Sequence, residues 1–467
     1  MRAMGPLEEL QPVFDPDAVA VIGARRASGP GSFNVVENLD EFGFDGDVYP
    51  VNPKADEVLG RTAYDDVREI PEPVDHAVVF LPRHIVTDAL RGCGEAGIPV
   101  ATIVSQGFAD AGEEGDAMQT ELNAVADDHG IRVVGPNTMG VHDFTTNFTT
   151  AFAPIAQRDY DPIGVISQTG LFSMSFPDLR YAKFVDLGNA SDVDHVDVLA
   201  YYRDHPDIEQ VFIHVEGLGP GRGRDLIEVA RDAVGSGTSV MALKTGQTPL
   251  GKSKAESHTG SLIGEDKVFD GAFEQGRIHR VDDYTDAQVV SRALLDLPDM
   301  AGNGIGMITH HGAASIMAMD AISEFDMELA SISPETAGAV QDLSPDWLDI
   351  DNPVDLGPAT VVDAPTAHEV ATEAVLADDA VHALIASIHI ADPSPWPLGV
   401  WGHIEAFEEI APEYDKPVVV VPVGTEQGET RARLAAVDNL VVLDDIRQAV
   451  KALRTAYLDT TYRGGDR

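Results

Sequence analysis

A chain of 467 residues with 31 Lys+Arg against 78 Asp+Glu carries a formal net charge of −47, and charge of that size excludes a nucleic-acid backbone or an anionic membrane surface as a partner, since both would be repelled over the whole protein. With 44% hydrophobic residues and 43 glycines the composition excludes global disorder and supports sizeable cores. At roughly 150 residues per domain the length predicts about three domains.

Short apolar, β-rich runs alternate with helix-length stretches from end to end, the pattern of parallel sheets covered by helices on both faces. A first series of strands is expected at 18–23, 47–51, 76–81, 100–105 and 131–134. A second falls at 163–167, 183–187, 210–215, 239–244 and 277–281. A third falls at 304–309, 328–333, 383–390, 417–423 and 439–443. Three sets of five predict an α/β chain of three Rossmann-like or flavodoxin-like units with mostly parallel sheets. The corresponding domains are 1–150, 160–298 and 303–467, with linkers expected at 150–162 and 297–303. The Pro-rich run from Asp392 through Trp396 to Pro397 reads as a surface loop or lid.

Only eight of the cations are lysines, and the acidic residues are dispersed rather than gathered in a tail. Dispersed acid with scarce Lys reads as a halophilic, salt-adapted surface; the plainer alternative is acid that serves solubility alone. The single cysteine, Cys93, excludes an intrachain disulfide and a Cys-based metal site, so no metal is expected, and it fits a reducing cytoplasm. The start of the chain lacks the basic and apolar regions of a signal peptide, and no apolar run reaches about 18 residues. The expectation is a soluble cytoplasmic protein that binds neither membrane nor nucleic acid.

Against this acidic background, clusters of cations single out two places. The first strand runs into a glycine-rich turn, Gly23-Ala24-Arg25-Arg26 followed by Gly29 and Gly31, with a helix expected from Ser32. A turn of this kind at a helix N-terminus offers backbone N–H groups and a favourable dipole to phosphate. The G-x-G-x-x-G spacing is absent, which leaves a phosphate-bearing cofactor other than a dinucleotide. Lys54 follows the next strand, so three cations converge at the edge where such sheets bind ligands. The alternative is a structural turn with exposed arginines.

The second place lies between 244 and 267, which holds Lys244, Lys252, Lys254 and Lys267, half of the lysines. His258 stands there among Ser257, Thr259, Gly260 and Ser261, small residues that expose backbone donors and let an imidazole project into a cavity. Imidazole is a good nucleophile near neutral pH and a reactive phosphoryl carrier. An ordinary loop histidine is the competing reading. Residues Gly246 to Ser253 also satisfy G-x-x-x-x-G-K-[ST], but the continuation lacks the apolar stripe of a P-loop helix and breaks at Gly260. Two further turns can complete a phosphate site: Ser167-Gln-Thr169-Gly170 leads from strand to helix, and Glu216, at a strand's C-terminal edge, can orient an imidazole or cap the next turn.

Taken together, these residues resemble the α subunit of ADP-forming acyl-CoA synthetases (acetate–CoA ligase, ADP-forming), relatives of succinyl-CoA synthetase α. The matching pieces run in order from about residue 14 to 295: Val21-Ile-Gly-Ala24, Val48-Tyr-Pro-Val-Asn-Pro-Lys-Ala-Asp56, Ser105-Gln-Gly-Phe108, Gly135-Pro-Asn137, Gly164-Val-Ile-Ser-Gln-Thr-Gly170, Gly188-Asn-Ala-Ser-Asp-Val-Asp194, Glu216-Gly and Ser257-His-Thr-Gly260. The resemblance implies a CoA site lined by Gly23, Ala24, Arg25, Arg26, Val51, Asn52, Pro53, Lys54, Leu81, Pro82, Ser105, Gln106, Gly107 and Phe108. It implies that His258 is the phosphorylated residue with Glu216 as its partner, and that Ser167, Thr169, Gly170, Thr259 and Gly260 bind phosphate.

Family members turn acyl-CoA and phosphate into an acyl phosphate, pass the phosphoryl group to the histidine and deliver it to ADP on an ATP-grasp domain. No such segment is recognisable here, so the resemblance implies an ATP-grasp β subunit carrying Mg and ADP/ATP, in a hetero-oligomer such as α2β2. The third unit keeps Asn352-Pro-Val-Asp-Leu356 but has Thr309-His310-His311-Gly in place of the usual glycine-rich turn. Those histidines are either substrate contacts or ordinary turn residues, and the Trp396 to Trp401 region is equally atypical. A catalytically silent CoA-binding regulatory protein and a P-loop NTPase are the alternative functions.

Overall fold

The computed structural model describes residues 5–29, 31–170, 179–251, 265–389, 403–424 and 428–465. It divides into two compact units, Met1–Tyr284 and Thr285–Arg467. Among the described residues the first unit holds two large sheets and a two-stranded hairpin, and the second holds one sheet.

In the first sheet, β1 (Ala18–Ile22), β2 (Asp47–Val51), β5 (His76–Val79), β6 (Val100–Ile103) and β7 (Arg132–Val134) lie in the order β2-β1-β5-β6-β7, all parallel. β1, β5 and β6 are buried along their whole length, as expected for runs covered on both faces. A small antiparallel hairpin of β3 (Glu57–Val58) and β4 (Arg61–Thr62) stands apart. The helix after β1 is Val35–Phe42, slightly later than expected: Asn34 accepts the Val36 N–H as N-cap, and Gly43 at φ +90° closes the C-terminus.

The second sheet contains β8 (Val141–Asp143), β9 (Phe148–Thr149), β10 (Asp161–Ser167), β11 (Tyr181–Asp186), β12 (Gln210–Val215), β13 (Ser239–Lys244) and β14 (His279–Val281). Their order is β14-β13-β12-β10-β11-β8-β9. The five expected strands are parallel, and β8 and β9 extend the edge antiparallel. β8 and β9 lie just before the expected linker, which is shortened at its C-terminal end because Asp161 already belongs to β10. Within it Phe152 packs against Phe33 and Phe80. A buried ion pair joins Lys183 of β11 to Asp143 of β8, with the Thr145 hydroxyl 3.1 Å from the ammonium.

In the second unit β15 (Gly304–Thr309), β16 (Glu328–Leu329), β17 (Val354–Asp355), β18 (Ala383–His389), β19 (Val418–Val423) and β20 (Leu440–Val442) form a parallel sheet, order β16-β15-β18-β19-β20, with β17 also on β15. β16 is shorter than the expected strand because Ser333 turns the chain into a helix, its hydroxyl accepting the Thr336 N–H. Cores lie on both faces of this sheet, one around Met307, Ile385 and Leu453, the other around Ile308, Leu384 and Phe407. Among the described residues no helix is long and apolar enough to cross a membrane.

Candidate functional site

The C-terminal edge of the first sheet carries the first turn. Gly23 sits at φ +89°, and a Cβ there would collide with the Phe80 carbonyl oxygen and lie 2.9 Å from Leu81 Cδ2. Its N–H and that of Ala24 both point at the Val51 carbonyl, at 3.0 and 3.3 Å. Further along, the Gly29 N–H and the Ser32 hydroxyl donate to the two carboxylate oxygens of Glu37, at 2.7 and 2.8 Å. The turn therefore differs from the expected cradle of open donors: four of its donors are satisfied by a strand carbonyl and an acid.

What the turn offers a ligand is charge. Arg25 and Arg26 are exposed, as is Lys54. Arg25 is held over Phe80 at 5.0 Å and bonded to the Ser32 carbonyl at 3.0 Å. Asn52 fixes the facing loop, its amide donating to the Ala24 carbonyl at 2.8 Å while its oxygen accepts the Lys54 N–H.

Two cavities open at this edge. One, of about 520 Å³, is bounded by Gly23, Val51, Asn52, Pro53 and Lys54 on one side and Leu81 and Pro82 on the other. The other, of about 610 Å³, runs from Leu81, Pro82, Ser105 and Gln106 to Gln168, Thr169, Gly170 and Asp186 at the C-terminal edge of the second sheet. Leu81 and Pro82 line both. Of the expected CoA residues, Ala24, Val51, Ser105 and Phe108 are buried, and Phe108 belongs to the core under the first sheet. The N–H groups of Gly107 and Phe108 are held by the Asp110 carboxylate. Ala24, Gly107 and Phe108 line neither cavity, and neither do Arg25 and Arg26.

At the second sheet Ser167 is fully buried and closes its own turn: its hydroxyl donates to the Thr169 carbonyl and accepts the Thr169 N–H. Gln168 crosses to the end of β12, where its side-chain oxygen accepts the N–H groups of Glu216 and Gly217 at 2.6 and 3.1 Å. Glu216 is buried. It does not cap the next helix, Arg222–Ser236, whose N-cap is Gly221. The strand and turn residues behind it are tied by histidines: His214 contacts the Thr245 hydroxyl at 3.0 Å, and the His195 ring meets the His214 carbonyl at 3.2 Å.

Motif matching overlooked Asp186, the last residue of β11, which lines the larger cavity. Burial, and then the nearby Glu216, push its carboxyl up to about 6, against the pull of the Met139 and Gly188 N–H groups it accepts. An acid ending the apolar strand Tyr-Ala-Lys-Phe-Val-Asp is the signal that could have found it, since open α/β sheets bind ligands outside their strands' carboxyl ends.

His258, Thr259 and Gly260 lie outside the described residues, as do Lys252, Lys254 and the Trp396 to Trp401 region. Of the lysines expected to greet phosphate, Lys244 is buried with its ammonium on the Thr245 carbonyl and over the Phe269 ring, and Lys267 is exposed. In the second unit His310 and His368 meet through their Nε2 atoms at 3.0 Å, and burial with three neighbouring imidazoles drives His310 down to about 3. His311 is the N-cap residue of the helix Gly312–Glu324. Among the described residues no group of three or more His, Cys, Asp or Glu side chains is placed to hold a metal ion.

Comparison with known proteins matches residues 17–143 to the CoA binding domain and 160–294 to the succinyl-CoA ligase like flavodoxin domain. The chain is 34% identical over 393 residues to acetate–CoA ligase [ADP-forming] II of Archaeoglobus fulgidus, covering 82% of this chain and 57% of that relative. It is 31% identical to the α subunit of acetate–CoA ligase [ADP-forming] I of Pyrococcus furiosus, covering 96% of this chain and 97% of that one. The dinucleotide forming acetyl-coenzyme A synthetase 1 of Ca. Korarchaeum cryptofilum, solved with phosphate and ADP, superposes with a TM-score of 0.84 at 27% identity, over 98% of both chains.

Proposed function

The chain belongs to the family of ADP-forming acetate–CoA ligases, and from that membership we propose that it is the CoA-binding, phosphohistidine-carrying subunit of an ADP-forming acyl-CoA synthetase, with acetyl-CoA as the probe substrate. The observation that carries this reading is the pair of adjoining cavities sharing Leu81 and Pro82. A long, bent ligand with phosphates at one end and a thioester at the other matches such a pair. Its phosphates meet Arg25, Arg26 and Lys54, and its pantetheine passes Leu81 and Ser105 toward Gly170.

In this reading inorganic phosphate attacks the acyl carbon: the C–O bond forms, the C–S bond breaks and CoA leaves as thiolate. His258 then takes the phosphoryl group from the acyl phosphate, releasing the carboxylate, and passes it to ADP. The turn at Ser167, Thr169 and Gly170, whose Thr169 N–H is already held by the Ser167 hydroxyl, and the small residues Thr259 and Gly260 suit the approach of an anion. Glu216, its backbone fixed by Gln168, suits the imidazole's positive charge. The domains 1–150, 160–298 and 303–467 then divide CoA binding from two ligase parts. Homologues named as α subunits support a separate β subunit, for which we propose an ATP-grasp fold that binds Mg and ADP/ATP in a hetero-oligomer.

Incubation with acetyl-CoA and labelled phosphate tests this directly. The wild type should acquire acid-labile, base-stable phosphate and His258→Ala should acquire none. Equal labelling of the two proteins would overturn the assignment of His258. CoA binding without labelling under any condition would favour the catalytically silent reading.

A further inference from the structure

Asp186 does more than line the larger cavity. It is 2% exposed, and each part of it holds a different wall. Its Oδ2 accepts the Met139 N–H at 2.7 Å and its Oδ1 the Gly188 N–H at 3.1 Å. Its own N–H donates to the Gly140 carbonyl at 2.9 Å, and its carbonyl accepts the Thr138 hydroxyl. The loop after β7 is thereby fastened to the turn after β11. The remaining wall is Gly170: a Cβ there would penetrate the Met139 side chain and come within 3.2 Å of Asp186 Oδ2. Met139 can lie so close to the Gly170 backbone because Asp186 holds its amide.

Among the described residues no Lys, Arg or His forms an ion pair with Asp186. Burying a carboxylate held only by neutral donors is costly, but the tie needs it: two N–H groups arrive on two different oxygens, and an amide, with one accepting oxygen and a donor NH2, could hold only one of them. Residues 136–140, 168–170 and 187–189 face it with backbone and hydroxyl groups; the charge that acts on it comes from Glu216. Two acids thus share one site, and removing either changes the other.

We propose that Asp186 is a positioning residue of the transfer site: it holds the turns at 137–140, 168–170 and 186–188 around the cavity and sets a second negative charge beside Glu216. The proposal rests on the function inferred above. It assigns to Asp186 the alignment of the anion-binding turns rather than contact with the reacting atoms.

The test uses the full chain with acetyl-CoA and labelled phosphate, CoA affinity by calorimetry, and Asp186→Asn with Asp186→Glu as a second variant. CoA affinity should stay within about twofold, while the labelling rate falls on the order of tenfold to a hundredfold, the scale of a small misplacement at a reacting centre. In the wild type the rate should decline as pH drops through about 6. In Asp186→Asn that limb should be absent, because the group that takes up the proton there is gone. A wild type that never labels overturns the functional reading itself. A wild type that labels alongside an Asp186→Asn of equal rate and pH profile overturns the positioning role alone, as does a pair of variants neither of which folds.

Discussion

Gly23→Ala perturbs the fold and the ligand edge at one atom. Gly23 lies at φ +89°, where an L side chain costs about 1–2 kcal/mol. Its new Cβ would overlap the Phe80 carbonyl oxygen and press on Leu81 Cδ2 at 2.9 Å. The obstruction is backbone of β5's continuation and cannot rotate away, so overpacking adds about 1–3 kcal/mol. The sum, about 2–5 kcal/mol, corresponds to a fall in Tm of roughly 4–20 °C. Leu81 lines both cavities, so its displacement should also weaken CoA binding, by about tenfold for about 1.4 kcal/mol lost. Gly60→Ala is the control: φ is +81° with no atom within 4 Å of the added Cβ, so it carries the conformational cost without the collision. Calorimetric melting and CoA titration of the two variants decide the matter. If Gly23→Ala melts no lower than Gly60→Ala and binds CoA like the wild type, the close approach of the first turn to β5 is not what requires glycine.

Two further predictions concern the buried charges and rings of the first unit. Lys183→Met leaves the Asp143 carboxylate buried without its ammonium and should cost about 3–5 kcal/mol by denaturant titration, most of it recovered in Lys183→Met/Asp143→Leu; additive losses would refute the pairing. His76, His142 and His195 are all lowered by burial, to about 4, 3 and 4, so the unfolded chain binds more protons below about pH 6.5 and stability falls with pH there. Asp186, raised to about 6, acts in the opposite direction because the folded state takes up its proton first. Three histidines against one carboxyl leave a net loss of about 3 kcal/mol between about pH 7.5 and 5.5, measured in high salt to screen the surface acid. Stability that is flat or rises on acidification would contradict it.

The parallel strands were legible because a strand buried on both faces is written as a continuous apolar run, and runs such as Gln210–Val215, Ser239–Lys244 and Gly304–Thr309 coincide with the structure to the residue. The edge strands β8 and β9 were not, because Val-His-Asp and Phe-Thr carry polar residues whose partners lie elsewhere in the chain. The His142 ring bonds the Thr149 hydroxyl and Asp143 pairs with Lys183. Likewise β17 depends on Asn352, whose amide reaches the Ile305 and Ala330 carbonyls and whose oxygen accepts the Met307 N–H, contacts that no local pattern reveals. At the site, motif spacing found the turns but not the use of their atoms. Glu37, in the helix Val35–Phe42, takes the Gly29 N–H that the glycine-rich turn made look available, and Asp110 after β6 takes the N–H groups of Gly107 and Phe108.

The charge argument changes most. With so few lysines in a chain of −47, Lys54 and the cluster at 244–267 looked like places for an anion. Yet Lys183 is paired with a buried acid, Lys451 with Asp286, and Lys244 and Lys416 with backbone carbonyls. Among the described lysines that leaves Lys54 and Lys267 exposed. Lysine scarcity therefore reports surface composition, and among the described lysines most serve as internal ties. Among the described residues the positive charge at the ligand edge comes from Arg25, Arg26 and Lys54, with Arg83 on the larger cavity, while the far end of that cavity is Asp186 beside Glu216. Such a gradient suits a ligand whose phosphates are held at one end while, at the other, a phosphoryl group must be bound and then released: neutral backbone donors and two acids hold an anion less tightly than lysines would, and a carrier that must give up its phosphate requires that weaker hold.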